Sequence, residues 1–121
     1  MAFDWREYLK LAQFLQGCKK EAFTEEAAFR SAVSRAYYAA YGHAFEYARE
    51  HFNFLPVFKV EDQGKLRQCF KEQQMADVAL KLDKLRQWRV DCDYRPDPPS
   101  ALALVVMSAI SRAEDVLKKL T

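Results

Sequence analysis

An alanine repeat constrains the fold of this chain more than any other feature of its sequence. Alanine recurs at every fourth position from residue 28 to residue 48, and a bulky residue follows most of these alanines. Residues four apart share one side of an α-helix, so the alanines form a shallow groove that lets a neighbouring helix approach closely. The repeat therefore predicts a central helix with wide contacts. The alanines are Ala28, Ala32, Ala36, Ala40, Ala44 and Ala48, and the bulky residues are Phe29, Val33, Tyr37, Tyr41 and Phe45.

Apolar residues at helical spacing predict the remaining helices, and no segment has a useful alternating strand pattern. Thr24 is predicted to cap the central helix, which ends before Pro56, and Ser100 is predicted to cap the last helix. Ala103 is expected on the inner face of that last helix. The chain, residues 1–121, is thus expected to form one all-α domain, an up-and-down bundle of four main helices and one short helix. The predicted ranges are 4–18, 24 to before 56, 63–73, 76–93 and a last helix after 100.

Composition and charge argue against several classes of function. The net charge of +2 is too small to indicate nucleic-acid binding without a local basic patch. Three cysteines, Cys18, Cys69 and Cys92, have no paired spacing, so we predict a reducing cytoplasmic location and no zinc site. The longest apolar run, from Ala101 to Met107, is far shorter than the about 20 residues that span a bilayer. We predict no metal, no cofactor and no membrane partner.

The candidate site lies at the predicted end of the fourth helix. Residues 88–99 read Trp-Arg-Val-Asp-Cys-Asp-Tyr-Arg-Pro-Asp-Pro-Pro, so ionisable side chains crowd the helix end before prolines stop it. Such a group is costly to bury and unnecessary for packing, which is why we expect a functional site there. The candidate residues are Arg86, Arg89, Asp91, Asp93, Tyr94 and Arg95.

Two segments of the chain resemble HEPN-domain proteins. Residues 31–41, Ser-Ala-Val-Ser-Arg-Ala-Tyr-Tyr-Ala-Ala-Tyr, resemble the second helix of that family, and residues 85–94, Leu-Arg-Gln-Trp-Arg-Val-Asp-Cys-Asp-Tyr, resemble its later motif. The Asp-Pro step that follows and the final amphipathic helix also fit, so the resemblance covers nearly the whole chain. It implies a small helical bundle that forms a homodimer, here through its later helices.

The resemblance implies either catalysis or binding. Many HEPN proteins are metal-independent ribonucleases of toxin–antitoxin and defence systems, and others are non-catalytic partners of small nucleotidyltransferases. Active members carry Arg-x(4–6)-His, but in this chain Tyr94 stands where Arg89 would be followed by the histidine. Histidine, with a pKa of about 6.5, serves as base and acid at neutral pH, whereas tyrosine, at about 10, is a poor base. We therefore expect a catalytically weakened dimeric module that binds RNA, a nucleotide or a nucleotidyltransferase.

In this hypothesis Arg89 contacts phosphate, Tyr94 stacks on a base or donates a hydrogen bond, and Asp91 and Asp93 orient the arginines. An active ribonuclease toxin is the first alternative, and Arg89 and Tyr94 would then be catalytic. The second alternative is a structural dimeric scaffold in which the charges only tie helices together. Aspartates two positions apart do not share a helix face, so they are expected to pair with neighbouring arginines rather than hold a metal.

Several residues elsewhere have two interpretations. At helical spacing Tyr37 and Tyr41 are expected in the core, whereas Tyr38 is either a core residue or a base-stacking residue. Arg35 is either a surface residue or an inward-reaching partner of a carboxylate. His43 is expected to be partly buried or at the surface, with a position near the candidate site as the alternative.

Overall fold

The computed structural model describes residues 3–18 and 22–121. These residues form five α-helices and no strand, which confirms the predicted all-α bundle. Within the described ranges, no helix is long and apolar enough to cross a membrane. The predicted ranges 4–18, 63–73 and 76–93 match the first, third and fourth helices apart from their terminal residues. The helices are α1 (Arg6–Gln16), α2 (Glu25–His51), α3 (Glu61–Glu72), α4 (Ala76–Tyr94) and α5 (Leu102–Lys119).

The central helix is α2, which contacts each of the other four helices. All six alanines of the repeat are buried, as predicted. Because alanine ends at Cβ, the helices that meet this row come close to the α2 backbone. Val33 and Tyr37 of the bulkier row are also buried, and the other three residues of that row lie half-buried against the core.

Contacts between helix ends show the relative directions of α2, α4 and α5. The start of α2 meets the end of α4, where Arg30 Nη1 donates to the Arg95 carbonyl at 2.6 Å. The start of α4 meets the end of α5, where Lys119 Nζ lies 2.6 Å from Asp77 Oδ2. Neighbouring helices in both pairs therefore run antiparallel, which places the end of α4 beside the first turns of α2.

The two predicted helix caps have different outcomes. Thr24 caps α2 as expected, since its hydroxyl accepts a hydrogen bond from the Ala27 N–H at 3.1 Å. The predicted cap at Ser100 is wrong: α5 begins at Leu102, after Ala101, whose φ of 54° is left-handed. Leu102 packs against the core, and the exposed Ala103 does not, so the inner face starts one residue earlier than predicted. The start of α5 thus follows the packing of Leu102 rather than the local preference of serine for a cap, which is worth about 1 kcal/mol.

Gly42 allows α1 and the residues before it to approach α2 closely. A Cβ atom on Gly42 would lie 2.0 Å from Cδ2 of the Trp5 indole, far inside the contact distance of two carbon atoms. We expect Gly42→Ala to displace the indole and to lower the free energy of unfolding by about 1–2 kcal/mol in thermal denaturation. Replacing glycine by alanine within a helix adds about 1 kcal/mol of stability through helix propensity. The steric cost of overpacking exceeds this gain.

Gly64→Ala in α3 is the matched control for this substitution. The nearest atom to a Cβ on Gly64 is Arg67 Nη2, at an ordinary contact distance of 3.8 Å. The control is expected to leave the melting temperature unchanged or to raise it. Equal melting temperatures for the two variants would show that the approach at Gly42 does not limit packing.

Candidate functional site

Arg30 of α2 holds the end of α4. Its Nη1 donates to the carbonyls of Cys92 at 3.0 Å and Arg95 at 2.6 Å, and its Nη2 donates to the Pro96 carbonyl at 3.0 Å. The Cys92 carbonyl needs this donor because the residue four positions later is Pro96, which has no N–H. Arg30 is not among the predicted site residues, yet it positions the helix end that carries them.

Arg89 lies at the centre of a polar cluster between α2 and α4. Its Nη2 donates to the Tyr38 hydroxyl oxygen at 2.6 Å, and its Nε lies 3.2 Å from Asp93 Oδ2. The Ser34 hydroxyl donates to the same Asp93 oxygen at 3.1 Å. The Arg89 guanidinium carbon is also 5.3 Å from the centre of the exposed Tyr94 ring. The two segments that resemble HEPN proteins therefore meet at Arg89.

The Arg89 guanidinium is a fixed and mostly buried positive charge. Only 15% of its side chain is exposed. Burial has the largest single influence on its pKa and lowers it, but Tyr38, Tyr94 and Asp93 together overcome this and raise the pKa above its ordinary value. Although Nε is close to Asp93, no acceptor among the described residues meets this buried N–H at hydrogen-bonding geometry. Arg89 thus keeps a donor that the protein itself does not satisfy.

Arg89 also lines a groove of about 250 Å³ between α3 and α4, which we call the arginine groove. Arg67 of α3 and Arg86 of α4 line the same groove, and no carboxylate of the described residues does. Asp83 lies 3.6 Å from Arg67 and 3.0 Å from Arg86, so one carboxylate serves two guanidinium groups. Counting Asp93 beside Arg89, three positive charges face two negative ones, which favours an anion such as phosphate. The groove is lined by Val60, Gln63, Gly64, Arg67, Arg86, Arg89 and Val90.

The predicted site residues divide between two faces of the molecule. Asp91 and Arg95 form an ion pair at 2.9 Å and line a separate groove of about 340 Å³ together with residues 96–99. Asp91 and Arg95 are separated from the other four predicted residues because Asp91 and Asp93, two positions apart, lie on different sides of the helix. The expected pairing of both aspartates with neighbouring arginines is confirmed. The four residues at or beside the arginine groove are Arg86, Arg89, Asp93 and Tyr94.

Arg67 is the groove residue that the sequence pattern does not reveal. It lies in α3, outside both segments that resemble HEPN proteins, and it is one of several basic residues on amphipathic helices. Its position beside Arg86 and Arg89 results from the packing of α3 against α4. No spacing rule within one helix predicts this contact.

An aromatic groove of about 440 Å³ adjoins the arginine groove. Val60 and Gln63 line both grooves, so the two grooves lie side by side. Tyr38 also lines the aromatic groove and accepts the hydrogen bond from Arg89. The rings come from α2, from the residue before α1 and from the loop between α2 and α3. The aromatic residues of this groove are Trp5, Tyr38, Tyr41, Phe45 and Phe58.

The residues with two interpretations have distinct environments. Tyr37 is buried, as predicted, and donates to Gln63, whereas Tyr41 is only half-buried. Arg35 is half-buried and pairs with no carboxylate of the described residues; its guanidinium carbon lies 4.6 Å from the Tyr8 ring centre and 5.2 Å from that of Tyr38. The ring of Tyr8 on α1 and the ring of Tyr38 on α2 itself take the place of a carboxylate partner, because a guanidinium stacks favourably on an aromatic face.

His43 is partly buried, as predicted, and lies apart from Arg89. Its Nε2 hydrogen-bonds with the backbone carbonyl of Leu120, at the end of α5. The groove that His43 lines contains none of the six candidate residues. Among residues 3–18 and 22–121, moreover, no three His, Cys, Asp or Glu side chains are grouped as they would be around a metal ion.

No protein-family model, no curated protein and no solved structure matches this chain. The resemblance to HEPN proteins therefore stays a prediction that depends on residues 31–41 and 85–94. The described fold and site define a helical protein with a basic groove beside an aromatic one.

Proposed function

We propose that the chain is a HEPN-like module that binds RNA through the arginine groove and lacks efficient cleavage activity. The observation that carries this proposal is that, in the part of the chain that the structure describes, three guanidinium groups and no carboxylate line the groove. Guanidinium groups bind phosphate oxygens through paired hydrogen bonds, and such contacts supply most of the affinity for a nucleic-acid backbone.

Binding is favoured over cleavage by the residues around Arg89. Cleavage of RNA needs a base for the attacking hydroxyl and an acid for the leaving oxygen, and histidine is the side chain best suited to both at neutral pH. The neighbour of Arg89 at this position is Tyr94, and His43 is engaged with the end of α5. The arrangement thus supports phosphate binding without a matched proton carrier.

We expect Arg89→Ala to weaken binding of a single-stranded RNA oligonucleotide by about 10-fold or more, because a charged hydrogen-bonding contact to phosphate is lost. The measurement is fluorescence anisotropy of a labelled RNA at constant salt, since affinity for RNA depends strongly on ionic strength. Arg86→Ala removes a less buried charge from the same groove and is expected to weaken binding in the same direction.

Arg95→Ala is the matched control, because it removes one positive charge outside the arginine groove. It is expected to change the affinity much less than Arg89→Ala does. Equal losses in the two variants, or no RNA bound by the parent protein, would refute the proposal. RNA cleaved in EDTA by the parent and not by Arg89→Ala would favour the ribonuclease toxin instead.

A structural role for Arg89 is the second candidate, and its hydrogen bond from α4 to Tyr38 of α2 supports it. This role predicts that Arg89→Ala lowers the melting temperature while the parent protein binds no RNA. A large fall in the melting temperature of Arg89→Ala, with no RNA bound by the parent or by Arg86→Ala, would favour this candidate.

The proposed module is a homodimer formed through α4 and α5, and the same face would dock a small nucleotidyltransferase. Exposed apolar side chains on both helices support such an interface, namely Leu80, Leu104 and Met107. A monomeric mass by light scattering at micromolar protein concentration would argue against the dimer.

A further inference from the structure

We propose that the aromatic groove binds a nucleobase of single-stranded RNA whose adjacent phosphate lies in the arginine groove. This inference rests on the proposed function and deepens it, because it assigns the base to a specific set of rings. Its main contact is Phe58, in the loop between α2 and α3.

Phe58 is exposed and yet held in a defined backbone conformation. Its exposed fraction is 74%, and its φ of 59° lies in the left-handed region, which a bulky residue adopts rarely. The Asp62 carboxylate accepts the N–H groups of Val57 at 3.0 Å and of Phe58 at 2.7 Å. Since Asp62 is only 2% exposed, the buried carboxylate braces the loop from within. Strained residues held by their surroundings are concentrated at sites that clamp ligands.

Neighbouring rings extend the surface that Phe58 presents. The centre of the Phe45 ring lies 6.1 Å from that of Phe58 and 5.9 Å from that of Tyr41. Trp5 and Tyr38 complete the lining of the groove. Aromatic side chains bind nucleobases by stacking, and every base has a face that can stack. At about 440 Å³, the groove lies within the roughly 300–1,000 Å³ typical of small-molecule sites.

Polar groups in the same groove suit the edge of a base. The Gln63 side-chain oxygen accepts the Tyr37 hydroxyl, so its amide nitrogen is not needed for that bond and can donate to a ligand. Burial raises the pKa of Tyr41 to about 12, with a further contribution from Asp62 and Tyr38. The Tyr41 hydroxyl therefore keeps its proton at neutral pH and remains a donor.

Charge complementarity identifies the occupant as a nucleic-acid strand. The aromatic groove shares Val60 and Gln63 with the arginine groove, which supplies the positive charge, whereas Lys59 and Asp62 in its own lining offset each other. A ligand that fills both grooves must join an aromatic ring to an anion. Each unit of single-stranded RNA has this combination, with its base unstacked and accessible.

The test compares Phe58→Ala with the parent protein by anisotropy, using a labelled single-stranded RNA of about ten nucleotides and an abasic strand of the same length. Loss of one stacked base is expected to weaken RNA binding by about 5- to 150-fold. Binding of the abasic strand is expected to stay unchanged, since only phosphate contacts hold it. Leu55→Ala is the matched control, because Leu55 is 84% exposed in the same loop and does not line the groove.

The possible outcomes separate the two proposals. RNA binding that depends on Arg89 but is equal in Phe58→Ala and the parent overturns the base site and leaves the proposed function standing. Equal losses for the RNA and the abasic strand also overturn the base site, and failure of the parent to bind RNA overturns both proposals. If a mononucleotide competes with the RNA strand and binds with the same affinity, the occupant is not an RNA strand and the proposal is overturned.

Discussion

Arg30→Ala is expected to lower the free energy of unfolding by about 2–4 kcal/mol and the melting temperature by roughly 8–16 °C. The substitution removes the charged donor that serves three backbone carbonyls at the end of α4. Water replaces part of this loss because the hydrogen bonds to Arg95 and Pro96 are exposed and the one to Cys92 is only partly buried. The Cys92 carbonyl cannot recover a helical bond, however, since Pro96 has no N–H.

The measurement is thermal denaturation followed by circular dichroism, with two comparison variants. Arg30→Lys keeps the charge but lacks the planar fork, so it is expected to recover less than half of the lost stability. Arg49→Ala removes an exposed arginine of the same helix, whose ion pair with Glu46 spans 3.6 Å, and is expected to cost less than about 1 kcal/mol. Similar melting temperatures for Arg30→Ala and Arg49→Ala would show that α4 ends stably without Arg30.

Asp62→Ala is expected to lower the free energy of unfolding by about 2–3 kcal/mol. Its carboxylate accepts the N–H groups of both Val57 and Phe58. Without it, two donors lose their acceptor, and nothing braces the left-handed backbone at Phe58. We therefore expect the loop to open more often and RNA binding to weaken along with stability.

Hydrogen exchange of the Val57 and Phe58 amides measures this effect directly, since exchange follows local opening. Both amides are expected to exchange faster in Asp62→Ala than in the parent. Glu61→Ala is the matched control because Glu61 is an exposed neighbour in the same first turn of α3. Unchanged exchange at both amides in Asp62→Ala would contradict the role assigned to the carboxylate.

Helix positions were predictable because the signals that set them are local. The alanine row of α2 has helical period, and Thr24 has an acceptor within reach of the Ala27 N–H. Ser100 shows the limit of such signals. Its preference for a cap is worth about 1 kcal/mol, and packing of Leu102 against the core starts α5 after Ala101 instead.

In the candidate site, too, the contacts within one helix were predictable and those between helices were not. Arg89 and Asp93 are four residues apart on one helix, so their ion pair follows from helical geometry. Arg67 and Arg30 belong to other helices, and no spacing connects them with Arg89 or with the end of α4. The proline at 96 marks an unpaired carbonyl at Cys92, but nothing in the sequence indicates that Arg30 supplies its donor.

The sequence by itself determined the all-α class, the central helix with its buried alanines, and the ion pairs within α4. These features depend on helical period and on contacts between residues a few positions apart. Only the tertiary structure decided that Arg67 joins Arg86 and Arg89 in one groove and that an aromatic groove adjoins it. Such contacts depend on how far each helix is rotated and how closely it approaches its neighbour, and the packing of the whole core sets both.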